Sequence, residues 1–163
     1  FILAFIDKES RMSSYAILIP SYNSSRDDIL RTFQGLPLDA HIFVVDDGSK
    51  IPFSEVVGNE LAAYRQLQVI KLEKNAGIEN ALNAGLAKIL ADYIYVARLD
   101  IGDSCQPERF AAQASFLDQN EDYDIVGCWA NFVDSVRFWV GLELNILTRP
   151  SLSLYTLFFS KTK

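Results

Sequence analysis

The chain has 163 residues, 50% of them hydrophobic and 22% charged, enough apolar matter for one self-supporting core. This excludes a disordered chain or one that needs disulfides to fold. A formal net charge of −6 without a basic stripe argues against nucleic acid as a partner.

At the start, Phe1–Ile6 is apolar but too short for a membrane span and lacks the basic leader of a signal peptide. Residues 1–13 are therefore read as an N-terminal extension or remnant. Four short apolar runs follow, Tyr15–Pro20, His41–Val45, Leu67–Leu72 and Tyr93–Leu99, whose starts are 26 residues apart. The residues do not repeat, so the period indicates successive strand–helix units of a parallel sheet rather than a solenoid. Runs rich in Ile, Val and Leu without strict alternation suit strands covered on both faces.

The connections carry helix signals. Ser25 is placed to cap a helix with Ile29, Leu30, Phe33 and Leu36 on one face, and Asp28 suits its first turn. Pro52 and Gly58 interrupt the second connection, which predicts a short helix. In the third, Ile78, Ala81, Leu82, Gly85, Leu86, Ile89 and Leu90 follow helical spacing. Pro107 suits the first position of a fourth helix with Phe110, Ala114 and Leu117 on its core face. A fifth strand is expected over Ile125–Trp129. Residues 136–163 show no period, and Leu152–Phe159 is again too short to span a membrane. The expected fold is α/β: a mostly parallel, Rossmann-like sheet flanked by helices over residues 14–135, followed by an unassigned tail. Cys105 and Cys128 match no metal spacing and are read as reduced, buried thiols of a cytoplasmic protein.

In such a sheet, ligands bind beyond the carboxyl ends of the strands. Pro20-Ser21-Tyr22-Asn23 follows the first strand, Asp46-Asp47-Gly48-Ser49 the second, Asn75-Ala76-Gly77 the third and Asp100-Ile101-Gly102-Asp103 the fourth. All four polar loops fall on one edge. Each also has a purely structural reading. Asp-Asp-Gly-Ser is a good turn, Asn75 and Gly77 can start a helix, Tyr22 can be a packed aromatic, and Asp100 with Asp103 can cap the next helix. Arg98 is either a surface strand residue or the ion-pair partner of a site carboxylate. Lone His41 opens a strand and is read as structural.

Together these blocks resemble family-2 glycosyltransferases of the GT-A fold. The resembling segments are Ala16–Asn23, Val44–Ser49, Asn75–Gly85, Ala97–Asp100 with Pro107–Arg109, and Ile125–Gly127, in family order between Ser14 and Val133. The resemblance implies inverting transfer from a UDP-sugar to a sugar or lipid-linked acceptor, as in bacterial surface polysaccharide synthesis. It places the protein in the cytoplasm and leaves peripheral association with the inner membrane face open. It implies that Pro20, Tyr22, Asn23, Asp46, Asp47, Asn75, Gly77, Arg98 and Asp100 surround the substrate. Asp47 would accept the ring N–H of uracil, a donor that cytosine lacks. Asp100 and Asp103 would serve Mg²⁺ or Mn²⁺.

Two departures stand out. Gly102 occupies the place of the family's metal-ligating carboxylate and offers no side-chain oxygen. Nothing after Val133 resembles the acceptor-binding half that carries the catalytic base, and Glu143 is the only acid beyond Asp134. The expectation is thus a truncated transferase, or a frameshifted one, inactive alone. The alternatives are a nucleotide-binding remnant that pairs with a complete transferase and, less well supported, a nucleotidyltransferase. The latter lacks support because the loop after the first strand has neither glycine nor lysine.

Overall fold

The computed structural model describes residues 2–4, 13–128, 132–133, 138–139 and 147–148. Strand β1 is Ile2–Ala4 and β2 is Ser13–Ser21. Helix α1 (Arg26–Gln34), β3 (Ile42–Asp46), α2 (Phe53–Val57), β4 (Leu67–Lys71), α3 (Ile78–Ile89), β5 (Tyr93–Arg98), α4 (Arg109–Gln119) and β6 (Tyr123–Val126) follow. Two-residue strands β7 (Phe132–Val133), β8 (Phe138–Trp139) and β9 (Leu147–Thr148) complete the described elements. The main sheet runs β4-β3-β2-β5-β1-β6-β9. Its first four strands are parallel, with Ile17 opposite both Ile42 and Ala97. β1 is antiparallel to β5 and β6, and β9 is antiparallel to β6. The expected mostly parallel α/β sheet is thus observed, and residues 2–4 contribute a strand to it.

Two apolar layers sandwich the parallel strands. On one side Ile17, Ile19, Ile42 and Val44 pack with Phe33 of α1, Phe53 of α2 and Phe110 of α4. On the other, Leu18, Phe43 and Val45 meet Ala81, Leu82, Leu86 and Ile89 of α3. The fully buried β3 explains its unbroken Ile-Phe-Val-Val run. β4 departs from the both-faces-covered reading. As an outer strand it leaves Val69 exposed.

Local chemistry sets the helix ends. The Ser25 hydroxyl accepts the Asp28 N–H and donates to the Asp28 carboxylate, satisfying one orphan donor of α1. α2 is short, as expected, ending at Gly58. α4 begins at Arg109, not at Pro107, which lies in the preceding turn; Asp100 and Asp103 do not cap it. Ile78 departs from the expected core face of α3: it is 50% exposed. β6 ends at Val126; Trp129 and Glu143 lie outside the described residues. Cys105 is half-buried and Cys128 exposed, which corrects the reading of two buried thiols. His41 bonds the Tyr93 hydroxyl through Nδ1 at 2.7 Å, at the strand edge away from the four loops, consistent with a structural role.

Candidate functional site

The carboxyl ends of β2, β3, β4 and β5 carry the four polar loops, and these meet around one cleft of about 360 Å³. Pro20, Ser21, Tyr22, Ser24, Asp47, Asn75, Gly77, Asp100 and Ile101 line it, with Ile78 and Ala81 of α3. Six of the nine expected substrate residues therefore line one space. The other three, Asn23, Asp46 and Arg98, stand behind the lining.

Parallel register brings the second and third loops together. The Asp47 N–H donates to the Ser21 carbonyl at 2.8 Å, tying the loop after β3 to the end of β2. Asp47 is 3% exposed. Its Oδ1 accepts the Ala76 N–H at 2.8 Å; its Oδ2 accepts the Gly77 N–H at 2.9 Å and the Asn75 side-chain amide at 3.0 Å. One carboxylate thus holds the whole 75–77 loop. Gly48 permits that approach. It has φ 67°, and a Cβ there would sit 2.3 Å from the Lys74 carbonyl carbon and 2.5 Å from the Asn75 nitrogen.

Asp46 is 1% exposed and faces the other way. Its Oδ1 accepts the Ser49 N–H at 3.0 Å and its Oδ2 the Phe53 N–H at 2.9 Å, the first orphan donor of α2. Burial pushes its pKa up, but the Ser49 hydroxyl, these two N–H groups and Lys71 outweigh burial and hold it below the ordinary aspartate value. Asp46 is a brace for the turn and helix. Asn23 is a second brace: with φ 48° it receives the Lys50 N–H on its side-chain oxygen and gives its own N–H to the Ser49 hydroxyl.

At the fourth loop, Arg98 donates through Nε and NH2 to the two oxygens of Asp100, both at 2.8 Å. Arg98 is thus the ion-pair partner of a cleft carboxylate. The Arg98 carbonyl in turn accepts from Arg109 at 3.3 Å. Asp103 N–H closes a tight turn onto the Asp100 carbonyl at 3.2 Å, and Gly102 at its third position has φ 97°. Sequence reasoning missed Thr32. This buried side chain of α1 accepts the Gly102 N–H at 2.8 Å across 70 positions of chain. A lone threonine inside a helical pattern carries no signal for such a contact.

The donors do not fit a divalent cation. Asp100 has both oxygens engaged by Arg98, Gly102 has none to offer, and Asp103 is exposed and does not line the cleft. Among the described residues no group of three or more His, Cys, Asp or Glu is placed to hold a metal ion. The expected pairing of Asp100 and Asp103 on Mg²⁺ or Mn²⁺ is thus not assembled.

A mostly parallel sheet with a loop-lined cleft at its carboxyl edge and a helix N-terminus in the lining defines the class as an α/β protein with its candidate site where ligands bind in such sheets. The chain belongs to glycosyl transferase family 2, whose model matches residues 16–162. It is 33% identical to an uncharacterized glycosyltransferase of Haemophilus influenzae and 32% identical to the amylovoran biosynthesis glycosyltransferase AmsE of Erwinia amylovora, each over 118 residues and 69% of this chain. The chain spans 43% and 44% of those two relatives. The fold is of the GT-A type. It is similar to the S. aureus TarS 1-349 structure in complex with UDP, with a TM-score of 0.57 at 24% identity over 67% of this chain and 33% of that one. The TarS 1-349 complex with UDP-GlcNAc gives a TM-score of 0.55 at 24% identity, over 67% and 32%. Among the described residues no helix is long and apolar enough to cross a membrane.

Proposed function

We propose that residues 14–135 form the donor-binding domain of an inverting glycosyltransferase that takes a UDP-sugar and serves surface polysaccharide biosynthesis on the cytoplasmic side. The acceptor, on this reading, is a sugar or a lipid-linked sugar reached at the membrane face. The observation that carries the proposal is the convergence of four polar loops, one from each parallel strand, on one cleft. The fold it shares with a protein solved with UDP supports the nucleotide assignment.

On this reading Pro20 and the half-exposed Tyr22 flank the base. Asp47 Oδ1 holds one N–H and retains a second acceptor position for the ring N–H of uracil. The diphosphate lies against Gly77 and the orphan N–H groups of the first turn of α3, where the helix dipole favours negative charge. Asp100 faces the ribose with its charge offset by Arg98. No step is assigned to a metal, and no catalytic base is assigned. Gly102 favours a second reading on the same site, a chain that binds the nucleotide without transferring a sugar.

Calorimetry with UDP, UTP, CTP and GDP tests the assignment. UDP is expected to bind more tightly than CTP and GDP. Asp47→Ala should weaken UDP by about 1–3 kcal/mol, the range for a hydrogen bond to a charged group. Equal affinity for all four nucleotides, or an Asp47→Ala chain that is folded and binds UDP undiminished, would place the base pocket elsewhere. Pyrophosphate release from UTP would instead identify a nucleotidyltransferase.

A further inference from the structure

Helix α1 joins two walls of the cleft. Its entry follows Ser24, which lines the cleft and shares a 2.9 Å hydroxyl contact with Ser21. Its last turns grip the Asp100 loop at two separate points. The first is Thr32, fully buried, whose hydroxyl donates to the Asp28 carbonyl at 3.1 Å and accepts the Gly102 N–H at 2.8 Å. The donation to the helix carbonyl fixes the hydroxyl rotor, so its lone pairs are aimed rather than free to turn. The second is Gly35, the C-cap, where a Cβ would lie 2.3 Å from the Cys105 carbonyl oxygen. The Cys105 thiol also points at the Gly35 carbonyl, with sulfur and oxygen 3.7 Å apart.

Between these grips Ile101 packs against the apolar core, and Arg98 holds both oxygens of Asp100. The Asp103-to-Asp100 bond closes the turn, and Gly102 at φ 97° supplies the backbone state that the closure needs. A glycine there permits many other conformations as well. The Thr32 hydroxyl selects one of them by holding the Gly102 N–H, two residues from the carboxylate that Arg98 engages.

We propose that Thr32 is a positioning residue of the donor site: through the Gly102 N–H its hydroxyl fixes the Asp100 turn, and so sets where the Arg98–Asp100 pair stands against the bound nucleotide. The proposal rests on the reading of the cleft as a UDP-sugar site. α1 thereby acts as a strut, so the Pro20–Ser24 wall and the Asp100 wall keep a fixed separation.

Two substitutions separate positioning from bulk stability. Thr32→Val keeps the shape and removes the hydroxyl. Thr32→Ser keeps the hydroxyl and removes the methyl, which leaves a small void in the core. The full chain and both variants are compared by UDP calorimetry, thermal unfolding and amide exchange at Gly102. Thr32→Val should weaken UDP about two- to tenfold, the range for one lost hydrogen bond, and speed Gly102 exchange. Thr32→Ser should lower the unfolding temperature yet keep UDP affinity within about twofold and leave Gly102 protected. The proposal is overturned if Thr32→Val binds UDP as the unaltered chain does, or if affinity in both variants merely follows unfolding temperature. Unchanged Gly102 exchange in Thr32→Val overturns it without reference to UDP. An unaltered chain that binds no UDP while Gly102 exchange responds as expected removes the donor-site reading, and the positioning role with it, but leaves the hydrogen bond itself established.

Discussion

At the scale of single residues, neighbouring aspartates carry different work because their carboxylates face opposite sides of one turn. Asp46 serves the fold: it holds the Ser49 and Phe53 N–H groups inside the protein. Its folded pKa is depressed, so the stability it contributes is present above the ordinary aspartate value of about 4 and is lost as pH falls through the folded value. Asp46→Asn should therefore lower the unfolding temperature at pH 7 and flatten the loss of stability below about pH 4. Acid unfolding curves of the two chains check this; parallel curves would mean another carboxylate governs. Gly102 poses the complementary question. A Cβ there meets nothing within 4 Å, but φ 97° strains any residue with a side chain. Gly102→Asp should cost about 1–2 kcal/mol of stability. In return it should make UDP binding depend on Mn²⁺, because it adds the oxygen ligand that the turn lacks. Titration of both chains with Mn²⁺ and with chelator decides it. If the unaltered chain already needs Mn²⁺, Asp103 is the ligand; if the variant binds UDP without regard to Mn²⁺, the turn does not correspond to the family's metal-binding one.

At the scale of elements, α3 shows how closely a helix can seat on this sheet. It carries Gly85 against β2 and β3, where a Cβ would lie 2.3 Å from Leu18 Cδ1 and 3.0 Å from Val45 Cγ2. Alanine would gain about 1 kcal/mol of helix propensity, but both neighbours are buried and have little room to yield. Overpacking of this sort costs about 1–3 kcal/mol, so Gly85→Ala should be neutral to destabilising by up to about 2 kcal/mol. Chemical denaturation measures it, and a clearly stabilised variant would show that α3 can lift off the sheet without loss. The helical spacing of α3 was legible because most of its apolar positions face one layer, and Ser25 was legible as a cap because its hydroxyl acts within four residues. Ile78 broke the pattern because the first residue of α3 overhangs the cleft. β4 was legible as a strand but not as an exposed one, since its position in the sheet is set by strand order, which periodicity does not encode. β1 was hidden for a related reason: three residues cannot show a period, and their pairing with β5 lies about ninety positions away. The site was legible loop by loop, through turn residues at strand ends. What holds the loops, Asp47 on residues 75–77 and Thr32 on Gly102, is a set of contacts between segments far apart in sequence.

At the scale of the whole molecule, an acidic protein must admit an anionic ligand. The formal net charge is −6, and the described residues that line the cleft include two carboxylates, Asp47 and Asp100, and no cation. Two unit charges about 10 Å apart in water interact by about 0.4 kcal/mol, and several such terms oppose the approach of UDP at low salt. The attractive groups act at short range: the N–H groups opening α3, and Arg98, whose charge is shared with Asp100. Salt therefore screens repulsion more than attraction, since contacts shorter than the Debye length of about 8 Å at physiological ionic strength survive it. UDP affinity should rise about two- to tenfold, or hold steady, as KCl increases from about 20 to about 150 mM. A site built on exposed cations would do the reverse. Calorimetry at the two salt concentrations, with chelator present so that no adventitious metal contributes charge, reads the sign directly. A several-fold loss of affinity with salt would mean that a local positive field outweighs the acidic surface. The diphosphate would then have to lie nearer Arg98 than the first turn of α3.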